Sequence, residues 1–128
     1  MHPLADVHAL LSAWARATEA RDVEQAADLY VRDGPVVTFS DGARAADWLD
    51  VRVRLARDFE RAAIERVEVH HPAILEVGED TLVVSFVYDL HVRDLWGTPS
   101  LATRHATLTL VRTKDGPRIA AAHYAQAR

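Results

Sequence analysis

His123 stands directly after three small residues, Ala120, Ala121 and Ala122, in RIAAAHYAQ, the last strand-like run of the chain. Small neighbours leave room for a ligand, and imidazole titrates near neutral pH. His123 is therefore a candidate general acid or base, the alternative being a histidine hydrogen-bonded within the core. The turn before it decides its partner. If Lys114, Asp115 and Gly116 form a three-residue loop with Gly116 in the left-handed region, Thr107 lies opposite His123 and His105 sits at a diagonal roughly 7–8 Å away. Two histidines then share one pocket wall and act as acid and base. A two-residue loop instead puts Leu108 opposite and sends His105 to the other face, toward a dimer interface or solvent.

Other chemistry-bearing residues are fewer. Asp89 is an alternative base, which requires the polar face of its strand to be the pocket side, whereas Asp33 more simply ends a helix ahead of Pro35. His70 and His71 are adjacent, so on a strand they point to opposite faces and do not share a metal. His91 lies on the neighbouring strand, but no carboxylate spacing completes a ligand set; no metal and no cofactor is expected. His2 and His8 read as surface residues. Cysteine is absent, which excludes disulfides, thiolate metal sites and cysteine nucleophiles. No GxSxG, P-loop or GxGxxG motif stands between a strand and a helix, which removes serine-hydrolase, NTPase and Rossmann readings.

The elements that must position these residues follow in a definite order. Leu4, Val7, Leu11, Trp14 and Thr18 recur at three or four and predict an amphipathic helix over 4–21. Asp22 is placed to cap a second helix over 23–31, which Asp33, Gly34 and Pro35 stop. A short strand over 36–39 and a turn at Ser40, Asp41 and Gly42 lead to a third helix over 43–61. Strands are expected over 64–77 and 81–93 around a Gly78, Glu79, Asp80 turn, over 101–113 after a loop at 94–99, and over 118–126. Leu82, Val84, Phe86, Tyr88, Leu90 and Val92 make one apolar face that belongs inward. Trp14, Tyr30, Phe39, Trp48, Phe86 and Tyr88 are the candidate ligand-binding aromatics, and Tyr88 is their best polar handle, since a buried phenol needs a partner. Three helices followed by a meander of long strands make an α+β fold, a cone-shaped, mostly antiparallel sheet strongly curved around its helices, with a pocket inside.

With 128 residues, 49% of them hydrophobic, the chain reads as one domain, 1–128. A formal charge of −4 lacks the basic excess that nucleic acid binding needs. No run approaches the ~18 apolar residues of a membrane span and the first residues carry no signal-peptide pattern, so a cytoplasmic protein without membrane partners is expected.

Asp22, Leu29 and Tyr30, Asp33, Thr107, Gly116, Ile119 and His123, in this order and spacing, resemble the nuclear transport factor 2-like (NTF2-like) superfamily, in particular its ketosteroid-isomerase-like and SnoaL-like branch. The resemblance spans almost the whole chain. It implies the cone-shaped fold and one of several activities, among them isomerases, polyketide cyclases, dehydratases and silent binding domains. Departures matter. Trp14 stands where the steroid isomerases carry an oxyanion-binding tyrosine, and Val37, Thr38 and Phe39 offer no aspartate on the first strand. His105 replaces a frequent arginine and Pro117 a frequent tryptophan. The resemblance thus implies a hydrophobic small-molecule pocket and cofactor-independent isomerase, cyclase or dehydratase chemistry on a polyketide-like or other secondary metabolite, with histidines as acid and base. Its rival is a non-catalytic ligand-binding or assembly module, a homodimer joined through the sheet at Ser85, Val87, Thr107 and Thr109.

Overall fold

The computed structural model describes residues 3–61 and 63–127; His2 lies outside them. Helix α1 (Pro3–Ala20) buries Val7, Leu10, Leu11, Trp14 and Ala17, a stripe at helical spacing. The Asp22 side chain accepts the Gln25 backbone N–H at 3.0 Å and opens α2 (Val23–Ala27). This helix stops four residues short of the expected end: Tyr30 leaves it to make a parallel bridge with Ile119, so a sheet hydrogen bond replaces the last helical turn.

Strand β1 (Val37–Ser40) turns through Asp41 and Gly42, both at positive φ, into β2 (Ala43–Ala45). The third helix was expected to begin at Ala43. The left-handed pair makes a tight hairpin instead, and α3 (Trp48–Arg61) starts only after Asp47, whose carboxylate accepts the Asp50 N–H at 2.8 Å. Four long strands follow, β3 (Ala63–Gly78), β4 (Thr81–Arg93), β5 (Pro99–Thr113) and β6 (Gly116–Gln126).

They form a curled, open, mixed sheet in the order β2-β1-β6-β5-β4-β3, antiparallel except where β1 runs parallel to β6. The inner face carries Leu82, Val84, Phe86 and Tyr88 of β4 and Ala106, Leu108 and Leu110 of β5, all buried in one core with Val7, Leu10, Leu11 and Trp14 of α1. The alternation read from residues 82–92 is the one observed, so period-two patterning sets which face of β4 is inside.

Pairing between β5 and β6 contains a bulge at Ala120. Leu110 faces Ile119 but Thr109 faces Ala121, so one residue of β6 is skipped and the parity of everything after it reverses. Ile119, Ala122 and Tyr124 therefore point in, and His123 points out. Thr107 does lie opposite His123, reached by a Lys114–Asp115 turn between paired Thr113 and Gly116 together with this bulge.

Candidate active site

A cavity of about 220 Å³ opens between α1, α3 and the inner face of the sheet. Its walls are set by register. Tyr88 on β4 is the cross-strand partner of Arg104 on β5, and both point inward because their neighbours Phe86 and Ala106 do. The Arg104 Nε–H donates to the Tyr88 hydroxyl at 3.1 Å, and Nη2 donates to both carboxylate oxygens of Asp41, at 3.0 and 3.1 Å. Tyr124, turned inward by the bulge, shares a 2.7 Å hydrogen bond with Tyr30. Trp14 stacks on Tyr124 at 6.2 Å and meets Tyr88 edge-on at 5.0 Å. Leu55, Phe59, Ile64 and Leu90 complete an apolar wall, and Asp58 of α3 stands at its rim.

Burial governs the electrostatics here. Desolvation pushes the Tyr30 hydroxyl up to about 12 and raises Tyr124 well above its ordinary value, so both phenols stay protonated. Between them only one O–H is used, which leaves the other for a ligand. Desolvation also raises Tyr88, with the Arg104 charge pulling the other way. For Arg104 desolvation works against the charged form, but Tyr88 and Asp41 outweigh it and hold the guanidinium above its ordinary value. Asp58 is exposed as a residue, but the helix and cavity wall beside its carboxyl desolvate it partly, and this wins over Arg54 and Arg61 to hold the carboxyl above the usual carboxylate range. The cavity thus joins phenolic donors, a carboxyl raised above its ordinary value, and an apolar wall.

Of the candidate aromatics, Trp14, Tyr30 and Tyr88 line this cavity. Three others are elsewhere. Phe86 packs behind Trp14 at 5.4 Å, within the core. Phe39 alternates outward from buried Thr38 and is 43% exposed beside His123. Trp48 donates its indole N–H to the Ala27 carbonyl at 2.9 Å and carries the Arg32 guanidinium over its ring, which fastens α3 to α2.

The histidines gather on the other side of the sheet. His105 and His123 share a face, their rings 6.3 Å apart, but it is the outer face, beside Val87, Thr107 and Phe39. Counting alternation from Ile119 turns His123 inward; the bulge at Ala120 turns it outward. Asp89 is on the outer face too, because the apolar alternation of β4 holds and no reversal occurs. It accepts from Thr103 at 2.7 Å and pairs with His70 at 2.8 Å, and these contacts keep it below the ordinary range. His91 bonds Glu68 at 2.6 Å. His71, at positive φ in the bulge before Ala73, breaks the alternation, so its ring lies 6.3 Å from that of His70 rather than clear of it on the opposite face. His8 is exposed. Among the described residues no group of three His, Cys, Asp or Glu is placed to hold a metal.

Sequence reasoning missed Tyr124, Arg104, Asp41 and Asp58. Arg104 alone carried a signal: it pairs with a strand position already read as inward, so the β4–β5 register identifies it. A larger open groove of about 770 Å³, between Arg32 and Asp33 and the β5–β6 turn, is lined mostly by exposed charges of both signs and lacks this desolvation.

No family model matches the chain, and no curated protein matches it. Solved structures do. It is similar to a proposed dehydratase of the NTF2-like family from Streptomyces avermitilis, with TM-score 0.83 and 17% identity over 98% of this chain and 97% of that one. It also resembles an NTF2-like superfamily protein from Salmonella enterica, with TM-score 0.82 and 14% identity over 97% and 90% of the two chains. A ketosteroid isomerase-like protein from Erwinia carotovora atroseptica aligns with TM-score 0.81 and 17% identity over 98% and 96%. At these identities the likeness establishes the fold. No helix among the described residues is long and apolar enough to cross a membrane.

Proposed function

We propose, for a chain that carries the NTF2-like fold, that the inner cavity binds a small, mostly apolar carbonyl compound and catalyses proton transfer on it, as an isomerase, cyclase or dehydratase does, with no cofactor taking part. The observation that carries this reading is the meeting, in one cavity, of a carboxyl held above its usual range at Asp58 with the protonated phenols of Tyr88 and the Tyr30–Tyr124 pair. Asp58 is the proton acceptor. Tyr88, whose oxygen already receives the Arg104 N–H, donates its own proton to the carbonyl oxygen as negative charge develops there. The cavity volume sets the substrate's size: about 220 Å³ is below the ~300–1,000 Å³ of sites for drug-sized molecules, so one ring suits it better than a fused polyketide.

Small enolisable aryl ketones incubated in D₂O provide the test. The wild type should accelerate deuterium incorporation, Asp58→Asn should abolish the effect, and Tyr88→Phe should lower it by roughly 10²-fold. Exchange that persists unchanged in Asp58→Asn contradicts this assignment.

A second reading concerns the outer face, where Phe39 and Val87 are exposed among Ser85, Thr107, His105 and His123. This mix suits a sheet-to-sheet homodimer, with the histidines in the contact rather than in catalysis. Sedimentation velocity tests it: a dimer that Val87→Arg converts to monomer supports the reading, and a monomeric wild type at high micromolar concentration removes it.

A further inference from the structure

Arg104 is more than a prop for Tyr88. Its side chain is only 15% exposed, yet it carries a permanent charge into the wall of a cavity. The counter-ion it has is poorly matched. Asp41 receives a single nitrogen, Nη2, on both oxygens, rather than the two parallel N–H bonds that guanidinium and carboxylate form when they are free to align. Asp41 is itself 59% exposed and stands at positive φ, a backbone conformation uncommon for residues other than glycine. Solvent around the exposed Asp41 screens its pairing with the largely buried Arg104 and weakens it. Arg104 is the one cation among the residues that line the cavity, where Asp41 and Asp58 are the anions, and Arg54 and Arg61 act on Asp58 from outside that lining.

From this geometry we propose that Arg104 is the recognition residue for a small aryl or alkyl carboxylate, whose two oxygens take the guanidinium edge that Asp41 holds in the ligand-free protein. The inference rests on the reading of the inner cavity as the ligand site. It adds a polar anchor of defined charge, and with it a substrate class: a one-ring or short-chain acid whose apolar body lies against Trp14, Leu55 and Ile64, carrying its carbonyl carbon toward Asp58 and Tyr88. Asp41 acts as an internal stand-in for that carboxylate. Displaced, it swings into solvent from an already exposed turn, so the exchange replaces one ion pair by a better desolvated one.

Isothermal titration with 4-ethylbenzoate and its neutral isostere 4-ethylbenzamide tests this on the intact chain at pH 7. The wild type should bind the carboxylate at least ~10-fold more tightly than the amide. Arg104→Met should bring that ratio close to one while leaving amide binding in place, which also verifies that the variant is folded. Asp41→Asn, which removes the competitor, should tighten benzoate several-fold without changing the amide. A wild-type ratio near one, or a preference that survives in Arg104→Met, overturns the inference. Failure of the catalytic reading looks different: Arg104-dependent benzoate binding without Asp58-dependent deuterium exchange leaves the anchor standing and removes the reaction.

Discussion

Tyr30 and Tyr124 provide the sharpest test of how the cavity is held together. Their hydroxyls are 2.7 Å apart, Tyr30 buried and Tyr124 partly so. Changing either to phenylalanine removes one partner of this bond, although the Tyr124 oxygen keeps its hydrogen bond with the Trp14 side chain, and a buried polar group that loses its partner costs about 1–3 kcal/mol. Globular proteins unfold with an entropy of ~2.1 cal/mol/K per residue, which over 128 residues is about 0.27 kcal/mol/K. Each single variant should therefore melt roughly 4–11 °C lower, toward the smaller end where cavity water can reach the orphaned hydroxyl. Replacing both should cost less than the two singles together, since the hydroxyl–hydroxyl bond is lost only once and neither phenol is left facing an apolar ring. Urea denaturation followed by circular dichroism gives all four free energies and hence the coupling, expected at about 1 kcal/mol or more. Additive single effects would refute the claim that the two phenols act as one buried unit.

Further outcomes follow from the same structure. Because partial desolvation raises the carboxyl of the solvent-accessible Asp58, its ionisation costs the folded state a small, screened amount of stability above the raised value and nothing well below the ordinary 3.8. Asp58→Asn should accordingly be more stable than the wild type at pH 7, with the gap closing as pH falls; a gap of constant size across that range speaks against the desolvation argument. Gly42, at φ +84, has open space around its Cα, so Gly42→Ala should cost only the backbone penalty of about 1–2 kcal/mol in urea titrations. A neutral result there means that the hairpin relaxes. Trp48→Phe removes the indole hydrogen bond to the Ala27 carbonyl, which keeps only the Tyr30 N–H, and should lower stability by about 1 kcal/mol while leaving cavity ligands bound as before.

How much of this could be read beforehand depends on the range of the interaction. The inward face of β4 was legible because six apolar residues alternate without interruption from Leu82 to Val92. Trp14 and Tyr88 followed from helical and strand periodicity. His123 did not, because the bulge lies among three consecutive alanines, where no contrast between apolar and polar residues marks the change of parity. The Asp41–Gly42 hairpin was seen as a turn, but its left-handed geometry, which returns the chain into β2 instead of α3, is a backbone property that Ser40, Asp41 and Gly42 permit without demanding. Asp41 with Arg104, and Tyr30 with Tyr124, join positions 63 and 94 residues apart. Such pairs are made by the closing of the sheet and carry no local pattern.

The central claim is that chemistry belongs to the inner cavity and not to the histidines of the outer face. The three tryptophans report on it directly, since Trp14 lines the cavity, Trp48 bridges two helices and Trp96 is 89% exposed at the β4–β5 turn. In a ¹⁵N-correlated NMR titration with 4-ethylbenzamide, the indole N–H of Trp14 should shift while those of Trp48 and Trp96 stay in place. A still Trp14 signal, with shifts instead at the backbone amides of His105, Thr107 and His123, would contradict the account.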